Sequence, residues 1–189
     1  MRWRVCGVLF VLVTVSGVLL ARDAWPARAR SAGEITIHVW KQRHAMVLQQ
    51  GDEVIRRFEV ALGKDPASSK EQQGDGRTPE GNYYICEKRP NSRFHRFLGI
   101  SYPNIEDAER AYDEHLISAD EWADIFFANL RETTPPWQTA LGGRVGIHGY
   151  GGRELIPVDW TEGCIAVSDA DIEYLYDQVP LGTRVIISE

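Results

Sequence analysis

Hydrophobic and polar residues alternate along several short runs of this chain. In Glu34 to Trp40, Ile35, Ile37 and Val39 fall on one side, with Thr36 and His38 on the other. A period of two predicts a strand with one buried face. Ala45 to Gln49 predicts a second strand and Val54 to Leu62 a third, with Arg56, Arg57 and Glu59 on its wet face. Asn82 to Glu87, Phe94 to Tyr102 and Thr183 to Ser188 read as further strands. Two more short runs, around Val145–Ile147 and Ile165–Val167, predict neighbouring strands joined by a long loop.

The period changes to that of a helix in three places. Asn104 predicts a helix cap, with acidic residues in the first turn and apolar positions through Ala108 and Tyr112 to Leu116. Ser118-Ala119-Asp120-Glu121 is a capping-box pattern opening a second helix, with Trp122, Ile125, Phe126 and Leu130 at helical spacing. Ser168 caps a third, whose apolar face is Ile172, Leu175, Tyr176 and Val179, and which Pro180 and Gly182 stop. Between these elements, Gly63 to Gly81 is a polar loop rich in turn signals, and Thr133 to Gly143 holds Pro135-Pro136 and Gly142-Gly143. Many short strands with helices inserted late predict a mainly β, mixed α+β domain: a β-sandwich-like sheet with two or three peripheral helices.

The first 29 residues differ from the rest. Arg2 and Arg4 precede a sixteen-residue apolar run, Val5 to Leu20, and Ala27-Arg28-Ala29 fits a small-x-small cleavage site. This predicts a signal peptide or an N-terminal membrane anchor over 1–29, and hence export to the periplasm or cell envelope. Losing that segment removes four arginines and one aspartate, taking the formal charge from −6 to about −9. An acidic domain without a basic cluster is not a nucleic-acid binder. Export leaves two cysteines, Cys86 and Cys164. Cys86 sits in a strand-like run and reads as a small apolar residue; a bridge between the two would block any chemistry at Cys164.

Candidate chemistry gathers in Ile147 to Val167. Fifteen residues separate His148 from Cys164; Gly149 follows the histidine and Gly163 precedes the cysteine. A thiolate is a nucleophile, and a neighbouring imidazole can take the thiol proton. Gly163 allows close approach of backbone to substrate, and N–H groups near Gly163 and Cys164 are natural oxyanion donors. This chemistry expects a partly exposed Cys164 with a depressed pKa. The competing reading is a buried cysteine and a core histidine that never meet. One cysteine and scattered histidines do not make a metal ligand set, so neither metal nor cofactor is expected.

The segment resembles the catalytic motif of the L,D-transpeptidases, bacterial cysteine enzymes that remodel peptidoglycan. In that family a His, often followed by Gly, precedes Ser/Thr-His-Gly-Cys by about fifteen residues; here the residues are His148-Gly149 and Thr161-Glu162-Gly163-Cys164-Ile165. Gly74 to Gly81 (GDGRTPEG), followed by Tyr83-Tyr84-Ile85, resembles the segment ahead of the site, and Asp159-Trp160 before the motif resembles a periplasmic branch. The likeness runs over 34–188. It implies Cys164 as nucleophile, His148 as base, and Gly163, Gly149, Thr161 and Glu162 as oxyanion or site-shaping residues. Tyr150, Arg77 and Trp160 are candidate substrate contacts. Glu162 stands where many members have a second histidine. The implied partners are peptidoglycan stem peptides and, for one branch of the chemistry, a wall-linked lipoprotein. Two alternatives stay open: an L,D-carboxypeptidase or other hydrolase, in which water replaces the acceptor amine, and a non-catalytic peptidoglycan-binding module.

Overall fold

The computed structural model describes residues 33–152 and 158–189. The expected export segment, 1–29, lies outside them, as does 153–157 within the loop between His148 and Cys164.

Among the described residues, eight strands form one curled sheet: β1 Ile35–Trp40, β2 Ala45–Gln50, β3 Glu53–Glu59, β4 Gly81–Ser92, β5 His95–Ile100, β6 Gly146–His148, β7 Ile165–Ala166 and β8 Arg184–Ser188. Their spatial order is β3-β2-β1-β8-β4-β5-β6-β7. β4 makes the sheet curl. Its first residues, Gly81 to Tyr84, pair with β8, and the ladder from Ile85 onward pairs with β5 through two register shifts. One long strand thus serves both halves of the sandwich-like fold. The chain leaving β3 then bridges to the far edge, Ala61 to Ala166 and Gly63 to Thr161. The two ends of the sheet meet beside β7.

The third predicted strand is shorter than expected. β3 ends at Glu59, and Val60 to Leu62 leave the sheet to make that closing contact. At the edge, Val54 and Ile55 are exposed, while Glu53, Arg57 and Glu59 supply charges that discourage edge-to-edge pairing. β1 was expected to have a wet face; instead Thr36 is buried and His38 is half-buried, stacked on Trp40. β1 lies between β2 and β8, so it is a central strand, and both its faces are partly covered.

The main core joins Ile37, Val39, Met46, Leu48, Ile85, Leu98, Ile147, Ile165, Val185 and Ile187 from the sheet to Ile172, Leu175 and Val179 of α3 (Asp169–Gln178). Lys88 on β4 donates to the Tyr176 and Val179 carbonyls at the end of that helix, satisfying groups the helix cannot. The other helices, α1 (Ile105–Asp113) and α2 (Ala119–Leu130), form a smaller cluster around Ala108, Ala111, Ile117, Ile125 and Leu141. α1 stops three residues before Leu116, and His115 takes a left-handed backbone at φ 58°. Among the described residues no helix is long and apolar enough to cross a membrane.

Candidate active site

β6 and β7 run parallel, with Ile147 opposite Ile165 and His148 opposite Ala166. Side chains alternate along strands, so Ile147 and Ile165 point into the core, where both are fully buried. His148 and Cys164, one residue beyond each on the other parity, therefore share the opposite face, two register positions apart. Diagonal neighbours at that offset are about 7–8 Å apart at Cα, within reach of an imidazole and a thiol.

Two aromatic rings lie against the histidine. Phe94 stacks on it at 4.6 Å between centroids, and Trp160 meets it edge-on at 5.7 Å. Trp160 in turn touches Phe94 at 5.4 Å and Tyr150 at 5.5 Å. His148 is 3 % exposed, and burial lowers its pKa below the ordinary imidazole value, against the pull of the Gly149 carbonyl and Asp169. Its Nδ1 lies 2.7 Å from the Gly149 carbonyl oxygen, which accepts only from a protonated nitrogen. That contact fixes the proton on Nδ1 and leaves Nε2 with its lone pair.

Cys164 is half-buried, and its Sγ donates to the Arg144 carbonyl at 3.7 Å. Burial pushes the thiol up to about 11, against the Gly146 N–H and the Lys70 ammonium, which pull it down. The depressed pKa expected from the sequence is absent. Desolvation disfavours charge on both the thiol and the imidazole, so the resting pair is neutral. Cys86 and Cys164 are both free thiols, and burial also raises Cys86 to about 11.

The turn carrying the cysteine is pinned from two sides. The Thr161 hydroxyl donates to the Cys164 carbonyl at 2.7 Å and accepts from the Gly163 N–H at 3.1 Å. The Gly163 N–H is thus occupied, contrary to its expected use as an oxyanion donor. Thr161 also accepts from the Lys64 N–H at 3.0 Å and donates its own N–H to Leu62 at 3.1 Å. Gly163 has φ +126°, and a Cβ there would stand 2.6 Å from the Arg77 carbonyl oxygen. Only glycine fits both conditions.

The loop from Gly63 to Gly81 borders this turn and is built on two buried lysines. Lys41 donates to the Ser68 and Thr78 carbonyls and to Glu80. Lys70 donates to Asp75 and the Gln72 carbonyl, each at 2.8 Å, beside Gly163. No sequence signal marked either lysine as an organising group. His44 lies 2.9 Å from Asp159 at the entry to the motif.

Other expected site residues are held by contacts of their own. Arg77 turns its guanidinium to Asp65 and Glu71 and braces the loop. Tyr150 is buried against Ala61, Ala166 and Trp160. Trp160 is half-buried and forms part of the wall over His148. Glu162 is exposed and pairs with Lys64. Gly149 donates its N–H to the Phe94 carbonyl, and a Cβ there would reach within 2.3 Å of Asp169 Oδ1. Neither Asp169 nor Arg144 carried a site signal in the sequence.

Residues 34–187 match the model of the YkuD family, the L,D-transpeptidase catalytic domain. Comparison with curated protein sequences returns no match. Among solved structures, the chain is similar to the helical cell shape determining protein Pgp2 from Campylobacter jejuni. The TM-score is 0.53 at 21 % identity, covering 85 % of this chain and 51 % of that one. It also resembles Bd1075 from Bdellovibrio bacteriovorus, with TM-score 0.54, 17 % identity, and 82 % and 48 % coverage. The Enterococcus faecium L,D-transpeptidase C442S mutant gives 0.51 at 13 % identity, with 82 % and 50 % coverage. The chain spans about half the length of each of these three proteins, and at these identities the likeness is one of fold. The match over 34–187, set on this curled sheet, shows that the chain belongs to the L,D-transpeptidase catalytic-domain family.

Proposed function

We propose that this protein is a peptidoglycan L,D-transpeptidase, exported through residues 1–29 and acting through a catalytic domain over 34–188. The observation that carries the reading is the shared strand face of His148 and Cys164, with Nδ1 tied to Gly149. In the proposed reaction, Cys164 Sγ attacks the carbonyl of the L-to-D link in a stem peptide as its proton passes to His148 Nε2. Because the resting pair is neutral, His148 acts as general base during attack and no preformed thiolate is required. The Cys164 N–H stabilises the oxyanion, since that of Gly163 is held by Thr161. The C–N bond then breaks, His148 protonates the departing amine of the terminal D-residue, and a thioester remains. An acceptor amine gives its proton to His148, attacks the thioester carbonyl and expels the sulfur, which recovers a proton from His148. Water in place of the amine gives the L,D-carboxypeptidase outcome. A wall-linked lipoprotein is a further substrate of the same chemistry.

One feature favours the non-catalytic reading: burial of Cys164 pushes its thiol up instead of down. Intact-mass measurement after mixing the protein with a donor tetrapeptide separates the two. The proposal predicts an adduct on the wild type at Cys164, missing from Cys164→Ala and strongly reduced in His148→Gln. No adduct and no turnover on the wild type would leave the binding module.

A further inference from the structure

The three N–H groups that follow Gly149 all meet one carboxylate. Gly151 N–H donates to Asp169 Oδ1 at 2.9 Å and Gly152 N–H to Oδ2 at 2.6 Å. Tyr150 N–H also binds this carboxylate. Gly151 and Gly152 have φ of 66° and 77°, so the backbone curls its N–H groups inward. Successive N–H groups arranged this way form an anion-binding concavity, and here its occupant is the chain's own side chain. Burial alone would raise the Asp169 carboxyl; the three N–H bonds and the nearby His95 take it below the usual carboxylate range. Asp169 sits at the start of α3, just after the Ser168 cap, where the helix dipole also favours its charge.

The loop so held contains the Gly149 carbonyl, the acceptor for His148 Nδ1. Its N–H is fixed from the other side by the Phe94 carbonyl at 3.0 Å. The absent side chain of Gly149 leaves the space that Asp169 Oδ1 occupies. We propose that Asp169 is the positioning residue of the site: by holding residues 150–152 it aims the Gly149 carbonyl at His148 and so sets which imidazole nitrogen faces Cys164. Asp169 does not touch the reacting atoms. The role rests on the cysteine–histidine reading above, but its consequence for the imidazole is readable without substrate. The titratable groups facing this carboxylate are His95 from β5, itself paired with Glu173, and the imidazole of His148.

The test is long-range ¹H–¹⁵N NMR of the His148 ring in the wild type, Asp169→Ala, Asp169→Ser and Asp169→Asn, with a thermal melt of each to establish folding. The wild type is expected to be almost wholly the Nδ1–H tautomer. The Ala and Ser variants should shift toward a mixture, and Asn, which keeps one acceptor oxygen, should shift less. Where turnover is measurable, Asp169→Ala should lose roughly 10- to 100-fold in kcat with KM changed much less, the cost of a misdirected base. A folded Ala or Ser variant with an unchanged His148 tautomer overturns the proposal. If neither folds, an unchanged tautomer in Asp169→Asn does so. Absence of turnover in the wild type, with the tautomer shift present, would instead count against the transpeptidase reading alone.

Discussion

At the scale of single residues, the sequence displayed the two reactive groups but not their protonation. His148 and Cys164 were legible because their glycine contexts and spacing are local. The state of the thiol was not, because it depends on what covers it. With the thiol raised to about 11, its thiolate population is small at neutral pH. Alkylation of Cys164 by iodoacetamide, mapped by peptide mass to separate it from Cys86, should be slow at pH 7 and keep accelerating through pH 10. A plateau reached below pH 8 would show a depressed pKa and contradict the neutral resting pair. At Gly163, alanine would meet the Arg77 carbonyl oxygen and a disfavoured φ. Gly163→Ala should destabilise by about 1–3 kcal/mol and abolish acylation, checked by chemical denaturation and intact mass. Asp169 was invisible as a site residue because its partners lie 17–19 positions earlier, and a pattern at helical period does not encode such contacts.

At the scale of elements, the caps were the most readable features. Asn104, Ser118 and Ser168 each accept an N–H at the third helical position, as their places before apolar-periodic runs predicted. The reciprocal bond of α1 was hidden, because Asp107 stands where the pattern has Glu or Gln. That choice has a pH consequence. Burial raises the Asp107 carboxyl to about 6, against bonds from Asn104 N–H and Tyr83 O–H. The folded state holds this proton more tightly than the unfolded chain, so the contribution to stability is full below about pH 4 and declines as pH rises toward 6. The loss is on the order of 2–3 kcal/mol. Asp107→Asn keeps an acceptor oxygen and no charge. It should raise the melting temperature above the wild type at pH 7 and leave it similar at pH 4. Equal differences at both pH values would contradict the assignment. The loop from Gly63 to Gly81 makes the opposite point. Its glycines and prolines marked a loop correctly, yet its order comes from Lys41 and Lys70, whose burial no local pattern signalled.

At the scale of the molecule, strand identity was legible and strand partnership was not. The C-terminal run 183–188 announced a strand, but not that β8 would lie parallel to β1 and antiparallel to β4 in the middle of the sheet. Its partners begin about 150 and 100 residues away, and alternation specifies a face, not a neighbour. Removing residues 184–189 should therefore leave two unpaired strands inside the fold and abolish cooperative unfolding. A truncated chain that still melts in one sharp transition would contradict this topology. The same long-range order closes the sheet at Ala61 and Ala166 and sets the cysteine turn against the loop at Gly63.

The central claim is acyl transfer through Cys164. Its most direct test is mass spectrometry of purified tetrapeptide muropeptides incubated with the protein, beside a Cys164→Ala control. The account predicts a cross-linked dimer that has lost one D-alanine, present with the wild type and missing from the control; loss of D-alanine without the dimer would make water the acceptor. The same products in both samples, or no product in either, would contradict it.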